Sequence, residues 1–371
     1  MPRQRGRADL AAHQGSRSKA PRSTRWRSPF VLLILLSVLL AGCTREEQPL
    51  NSWDAQGPIA EQINNLFWPV FWIATAIFVI VQGALIVAVV RFRERKDDDR
   101  KEPKQIHGNT TLEIVWTAIP TLILAGIAVP TVAAVFDLAD CPAGAMEIEI
   151  IGHQWWFEYH YPDSGVTTAN VMVIPEDTEI CAKMTSEDVL HNYWVPKLAG
   201  KRYLVPGQET ELRLFADDPG EYWGHCAEFC GLSHSKMWAR VLAMTASDYD
   251  AWVEAQLQPA AMPQAGTLAE RGMEVFTAGA CIGCHIVDGV NNPDPSTLAV
   301  VAPDLTHFAS RNVFAGAVLP AGLEPTQADW EAGLREWLAD PPTVKPGSFM
   351  PDLGLTAEEI DALVAYLGSL K

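Results

Sequence analysis

The chain has 371 residues, a formal net charge of −17 and 48% hydrophobic residues. That length accommodates two or three domains, each able to bury a core. The acidic balance excludes a nucleic-acid-binding surface, since phosphate would be repelled, and favours basic protein partners.

Residues 1–42 carry eight Lys/Arg against one Asp. A short apolar run from Phe30 to Leu40 leads into Leu40-Ala-Gly-Cys43. A basic region, an apolar core of about ten residues and a small-residue end form the layout of a signal peptide. The run is too short to span a bilayer, which argues against an uncleaved anchor. Leu-Ala-Gly-Cys resembles a bacterial lipobox, which implies cleavage before Cys43 and a lipid on its thiol. Residues 43–65 then form an outer N-terminal segment.

Leu66 to Val90 and Leu112 to Phe136 are almost wholly apolar, with Gln82 and Glu113 as exceptions. Each is long enough to cross a bilayer with some tilt. Pro120 and Pro130 are tolerable in a membrane helix. A transmembrane hairpin is expected over 66–136, with a connecting loop at about 91–111. Arg91 to Lys104 holds seven Lys/Arg, which places that loop in the cytoplasm by the positive-inside rule. Both hairpin ends then face outward, as a secreted Cys43 also requires. The expected location is a bacterial inner membrane, multi-pass, with everything after residue 137 on the outer face.

From 137 to 255 the pattern changes. Glu147-Ile-Glu-Ile-Ile and Thr210-Glu-Leu-Arg-Leu-Phe alternate with period two, Val171-Met-Val-Ile ends at Pro175, and Trp238 to Met244 closes the segment. Short strands with Pro/Gly turns predict a Greek-key β-sandwich. Cys141 and Cys181 lie in this outer part, where they form either a disulfide, which an oxidising compartment permits, or two separate thiols.

Cys226-Ala-Glu-Phe-Cys-Gly-Leu-Ser-His-Ser-Lys-Met237 gathers two thiols, an imidazole and a thioether. His191, in Asp-Val-Leu-His, offers a second imidazole. A Cys-x3-Cys pair also suits a disulfide or half a zinc site, since zinc takes Cys and His. Neither accounts for the methionine, whereas thiolate, thioether and imidazole together suit copper. The count fits a dinuclear centre: Cys226 and Cys230 bridge, His191 and His234 take one ion each, Met237 takes one ion and the Glu228 carbonyl the other.

Residues 256–267 are small and Pro-rich and read as a linker. Leu268 to Ala278 predicts a helix ending at Gly279, and Cys281-Ile-Gly-Cys-His285 follows at once. That is a c-type haem attachment signature, with Cys281 and Cys284 as thioether sites and His285 as proximal ligand. A thioredoxin-like redox pair lacks the βαβ surroundings it needs. Met350, in the Pro-bracketed Lys345-Pro-Gly-Ser-Phe-Met-Pro351, is the expected second axial ligand; Met273 lies on the wrong side of the motif. Gly272, Phe276 and Tyr366 look like packing points of two terminal helices, the last opening on a Thr356-Ala-Glu-Glu capping box. His307 reads as structural. Residues 268–371, an expected all-α domain that resembles a cytochrome c, hold fourteen acids against five bases.

The loop Cys-x-Glu-x-Cys-Gly-x-x-His-x-x-Met is similar to the CuA motif of cytochrome c oxidase subunit II. The sandwich resembles a cupredoxin domain, and the chain from Cys43 to Lys371 resembles subunit II of a caa-type oxidase, with a cytochrome c domain fused behind the CuA domain. The resemblance implies an electron-accepting role: a respiratory cytochrome c-type donor outside, haem c and dinuclear copper within, and delivery to subunit I for oxygen reduction coupled to proton translocation, with subunit III alongside. It implies that Trp155, in Gly152-His-Gln-Trp, is where electrons come in. It further implies that Glu113 stands at a proton-path mouth and that the Glu228 carboxylate reaches a magnesium ion shared with subunit I. The family usually has Asp at the position of Tyr203 and Arg at that of Gln208, so the ordinary docking of a soluble cytochrome c is altered. A fused domain would then serve as a tethered donor at high effective concentration. Two other readings use the same module: the CuA subunit of a nitric oxide reductase, which a neighbouring subunit I would distinguish, and a stand-alone membrane electron-carrier lipoprotein, for which a two-helix hairpin is superfluous.

Overall fold

The computed structural model describes residues 48–93, 105, 107–293, 302–322 and 325–371, together with Leu33, Ile34 and Ser37. Cys43, most of the leader and most of the basic loop lie outside the described residues.

Two long helices come first, α1 (Pro58–Arg91) and α2 (Thr110–Asp137). At roughly 1.5 Å per residue both exceed a hydrocarbon core of about 30 Å. Their apolar side chains, among them Ile80, Val89, Leu122 and Phe136, are exposed all round, as lipid-facing helices require. α1 starts well before Leu66 because Pro58 occupies its first turn, where a missing N–H costs nothing. The Asn109 side chain caps α2 by accepting from Leu112 N at 3.2 Å. At the outer end Gln62 Nε2 donates to Asp137 Oδ2 at 3.1 Å, and Arg213 Nη1 donates to the Asp137 carbonyl at 2.9 Å. The Arg213 bond fastens the hairpin to the strand-rich body that comes next in the chain.

That body is a sandwich of two five-stranded sheets. One has the order β3 (Val166–Ala169), β2 (Trp156–Tyr161), β1 (Met146–His153), β5 (Ile180–Ser186), β8 (Thr210–Leu214). The other runs β4 (Val171–Pro175), β10 (Trp238–Met244), β9 (Gly220–Cys226), β6 (His191–Trp194), β7 (Lys201–Leu204). The pairs β1/β5 and β4/β10 are parallel and the rest antiparallel. Period-two burial drives the stacking: Ile148 and Ile150 of β1 and Phe157, Tyr159 and Tyr161 of β2 face inward against Met172, Ile174, Tyr193 and Val241. Cys141 and Cys181 form a disulfide that ties the segment after α2 to β5.

Helix α3 (Ala246–Gln256), capped by Thr245, closes the sandwich; the alternation-based reading had no helix there. A helical body comes after it, built from α4 (Leu268–Ala278), α5 (Gln327–Ala339) and α6 (Ala357–Leu367). α4 ends at Gly279 as its sequence predicts, and Thr356 and Glu359 form the expected capping box. α4 and α6 cross where Gly272 meets Ala362 and Tyr366, with the Phe276 and Tyr366 rings 5.7 Å apart. The capping box of α5, Thr326 with Asp329, went unread in the sequence.

Candidate metal and haem centres

β9 delivers Cys226 as its last residue, on the inward side of its alternation. The β9–β10 ladder continues into the loop through Cys226 N donating to Met237 O at 2.9 Å, which returns Met237 to the cysteine. On the other flank β6 pairs with β9, and Ala227 N donates to Asn192 O at 2.8 Å, which sets His191 beside Cys226. His191 is the first residue of β6 itself, one step later than a loop ligand following a strand.

The six groups singled out in the sequence therefore meet. Cys226 Sγ lies 3.8 Å from Cys230 Sγ, 3.9 Å from His191 Nδ1 and 3.3 Å from the Glu228 carbonyl oxygen. Cys230 Sγ lies 3.6 Å from His234 Nδ1 and 3.8 Å from Met237 Sδ. Each sulfur thus has its own imidazole, with a thioether on one side and a carbonyl on the other. The donor set fits two thiolate-bridged soft ions. His191, Cys226, Cys230 and Met237 are buried, while Phe229 and Leu232 stand exposed at the rim.

Electrostatics favour a thiolate. The Cys230 thiol donating to Cys226 holds Cys226 far below the usual thiol range, against its burial and helped by His191. That neighbouring thiolate, together with burial, pushes Cys230 up. The sequence reading missed the groups behind the ligands. Asp188 Oδ1 lies 2.8 Å from His191 Nε2, so Nε2 carries the proton and Nδ1 faces the sulfurs. Burial raises the Asp188 carboxyl, but His191 and the backbone N–H groups of Val189 and Gln154 bring it below its ordinary value. Burial likewise lowers His191, and Asp188 and Cys226 more than reverse that. Gly152 makes room for the ring, since a Cβ there would come within 2.8 Å of His191 Cδ2. The one hint in the sequence was Asp188 three residues ahead of His191.

Trp155 is 6% exposed, and its indole Nε1 donates to the Cys230 carbonyl at 3.0 Å. Gln154 Nε2 donates to the same oxygen at 2.7 Å. The family's Asp position holds Tyr203, whose hydroxyl donates to the Glu228 carboxylate; that contact raises the Tyr203 hydroxyl above its usual value. Gln208 closes a turn through Val205 O. Among the described residues, no cluster of metal-ligating side chains includes the Glu228 carboxylate, so a magnesium ion there would need oxygens from another chain. Glu113 lies in the first turn of α2, exposed.

In the helical body, Cys281, Cys284, His285 and Met350 line one apolar cavity of about 240 Å³. Phe276, Leu305, Phe308 and Leu363 line it too, whereas Met273 does not. His285 Nδ1 donates to Pro303 O at 2.8 Å, which leaves Nε2 for an iron. Burial pushes His285 below its ordinary value and so keeps the imidazole neutral. Thiols for two thioethers, a fixed neutral imidazole and a thioether in an apolar pocket fit haem c. His307 is occupied otherwise: its nitrogens reach Lys371 O at 3.0 Å and Gln258 O at 2.9 Å. The cavity also draws Gln154, Trp155 and Trp156 from the sandwich.

Three family models match the chain: the cytochrome c oxidase subunit II transmembrane domain over residues 46–134, the subunit II periplasmic domain over 164–244, and cytochrome c over 269–371. The chain is 38% identical over 352 residues to cytochrome c oxidase subunit 2 of Alkalihalophilus pseudofirmus, covering 93% of this chain and 97% of the relative. It is 34% identical over 363 residues to the subunit 2 of Bacillus sp. (strain PS3), covering 93% and 98%. Quinol oxidase subunit 2 of Bacillus anthracis matches at 34% over 241 residues, which is 63% of this chain and 81% of the relative.

Proposed function

The chain belongs to the cytochrome c oxidase subunit II family, and on that premise we propose that it is the electron-accepting subunit of a respiratory haem–copper oxidase. It takes electrons from a c-type donor at the outer face of the membrane and delivers them to subunit I, where oxygen is reduced and protons are translocated. The single observation that carries this reading is the convergence of five soft or borderline donors and one backbone carbonyl, from two chain segments, around one pair of sulfurs, beside a cavity suited to haem c.

In this reading Cys226, Cys230, His191, His234, Met237 and the Glu228 carbonyl hold two coppers. Cys281, Cys284, His285 and Met350 hold the haem. When bound, these groups take up and release single electrons. The chain's own part is to keep their surroundings from moving. Asp188 fixes the His191 ring, Gln154 and Trp155 pin the Cys230 carbonyl, and the sandwich excludes water from both sulfurs. Ligands that hold position limit the rearrangement that a change of charge would otherwise require. Trp155 bridges the two centres as the residue through which electrons come in.

The same reading assigns cleavage of residues 1–42 and lipidation to Cys43, a proton-path mouth to Glu113, and one magnesium ligand to the Glu228 carboxylate. It gives the hairpin to subunit I, with subunit III alongside. The acidic surface of residues 268–371 selects a basic donor. Metal and haem analysis of the assembled protein tests the core of it. Two coppers and one covalent haem per chain are expected, and Cys226→Ser should remove the copper while the haem stays. Zinc, or one copper, would sink the reading.

A further inference from the structure

The stretch that leads to Met350 runs across the copper loop before it reaches the haem cavity. Ser233 Oγ donates to Pro346 O at 2.6 Å, and the Lys236 ammonium donates to Val344 O. Gly347 lies against the Trp155 indole, where a Cβ would come within 2.6 Å of Cη2. Lys345 sits between these contacts, 4% exposed. Its ammonium donates to Trp155 O, in the turn between β1 and β2, and to Ala315 O at 2.9 Å, in the helical body. None of the ion pairs among the described residues includes it.

A lysine nitrogen buried with only carbonyls as hydrogen-bond partners is costly, and an apolar side chain of similar volume would fill the space more cheaply. Packing by itself therefore does not account for a lysine here. What the lysine provides is a shared donor: one buried nitrogen that bonds a sandwich carbonyl and a helical-body carbonyl at once. Farther out, Trp238 N donates to Gly316 O at 2.8 Å and Asn312 Nδ2 to Glu221 Oε2 at 2.7 Å, so the two bodies share a continuous seam.

We propose that Lys345 is a positioning residue for electron delivery: it locks the Met350 loop onto the Trp155 turn, so that the helical body stays seated on the copper loop instead of swinging on residues 256–267. The inference rests on the copper and haem reading above. It also fixes the route for external donors. With Trp155 covered, a separate protein delivers its electrons to the helical body and not to the copper loop.

The test uses the intact oxidase carrying Lys345→Met. Amide exchange at Trp238, whose acceptor lies across the seam, should become faster on the order of tenfold. Internal transfer from haem to copper should slow by roughly tenfold or more, as a displaced partner would make it. KM for an external donor should hold while kcat falls, and the Met–iron charge-transfer band and the copper and haem contents should stay intact. A fully loaded variant with wild-type exchange and wild-type internal transfer overturns the proposal. If Lys345→Met fails to load haem, Lys345→Gln, whose shorter side chain cannot reach both carbonyls, is read by the same criteria. A wild-type protein lacking the coppers or the haem would sink the functional reading instead, and seam exchange would still be measurable.

Discussion

Replacing Asp188 by Asn tests whether the carboxylate behind His191 matters to the metal. Three short hydrogen bonds converge on it, from His191 Nε2 at 2.8 Å, Gln154 N at 2.6 Å and Val189 N at 2.6 Å, with Ser186 Oγ farther off at 3.5 Å. Asn keeps one oxygen and turns an NH₂ toward a site that needs an acceptor. Its better orientation leaves the oxygen on Oδ1, where His191 and Val189 still bond, and sets the NH₂ against Gln154 N–H. One charge-assisted bond is lost outright, a cost of about 1.5–3 kcal/mol. The other two lose their ionic partner. For copper, removing an orienting carboxylate costs about 10–100-fold in affinity, or about 1.4–2.8 kcal/mol. Competition with a chelator of known affinity, on the full chain, reads the second quantity, and thermal unfolding reads the first. Wild-type copper affinity together with wild-type unfolding in the Asn variant would refute the argument that Asp188 sets the ring and its tautomer.

Glu158 carries a pH signature. Burial raises its carboxyl, but hydrogen bonds and charge from His153 and His160 outweigh that and bring it from 4.5 to about 2. The shift corresponds to about 3 kcal/mol of stability, present above the ordinary value and lost as pH falls toward the folded one. Glu158→Gln should therefore cost about 3 kcal/mol near pH 6, with a gap that closes between about pH 4.5 and 2; a gap constant across that window in melting curves would contradict it. His160, raised by its bond to Glu158 against its burial, stabilises below its ordinary value of 6.5 and loses this as pH climbs through its raised value, so the gap should narrow at alkaline pH too. Met350→Leu should abolish the Met–iron band and lower the haem potential in a redox titration, whereas Met273→Leu should leave both unchanged. Replacing Cys141 and Cys181 by Ser should lower sandwich stability by about 2–4 kcal/mol in denaturant unfolding, and equal midpoints would contradict this.

The copper loop was legible because its donors are local. Cys226 comes last on β9, on the inward face, a strand that Gly-Glu-Tyr-Trp-Gly-His-Cys does not announce by apolar alternation. The groups that hold those donors were not legible. Asp188, Gln154 and Gly152 act through the pairing of β1 with β5 and the packing of β6 in the facing sheet, and register across sheets is set by tertiary packing. Two helices escaped for a related reason. Ala246–Gln256 and Gln327–Ala339 are rich in Asp, Glu, Ala and Trp, with weak apolar stripes, so only their caps, Thr245 with Asp248 and Thr326 with Asp329, announced them. The idea of a tethered donor followed from the fusion of a haem-bearing domain behind the copper domain. The seam through Lys345, Gly316 and Asn312 adds contacts that seat that tethered domain, and these were not legible because long-range contacts leave no trace in linker composition.

A pocket with walls from two bodies constrains how the protein is made. Cys281, Cys284 and His285 line one side, and Trp155 and Trp156 close another. If haem c fills this pocket, porphyrin has to reach the thiols while that second wall is still away, and attachment is expected to precede closure. A chain that never received haem would shut over an empty, apolar hollow or fail to shut at all. Pulse-labelled material should then pass through a protease-sensitive, haem-bearing stage before the resistant one, and resistance gained ahead of haem would reverse that order.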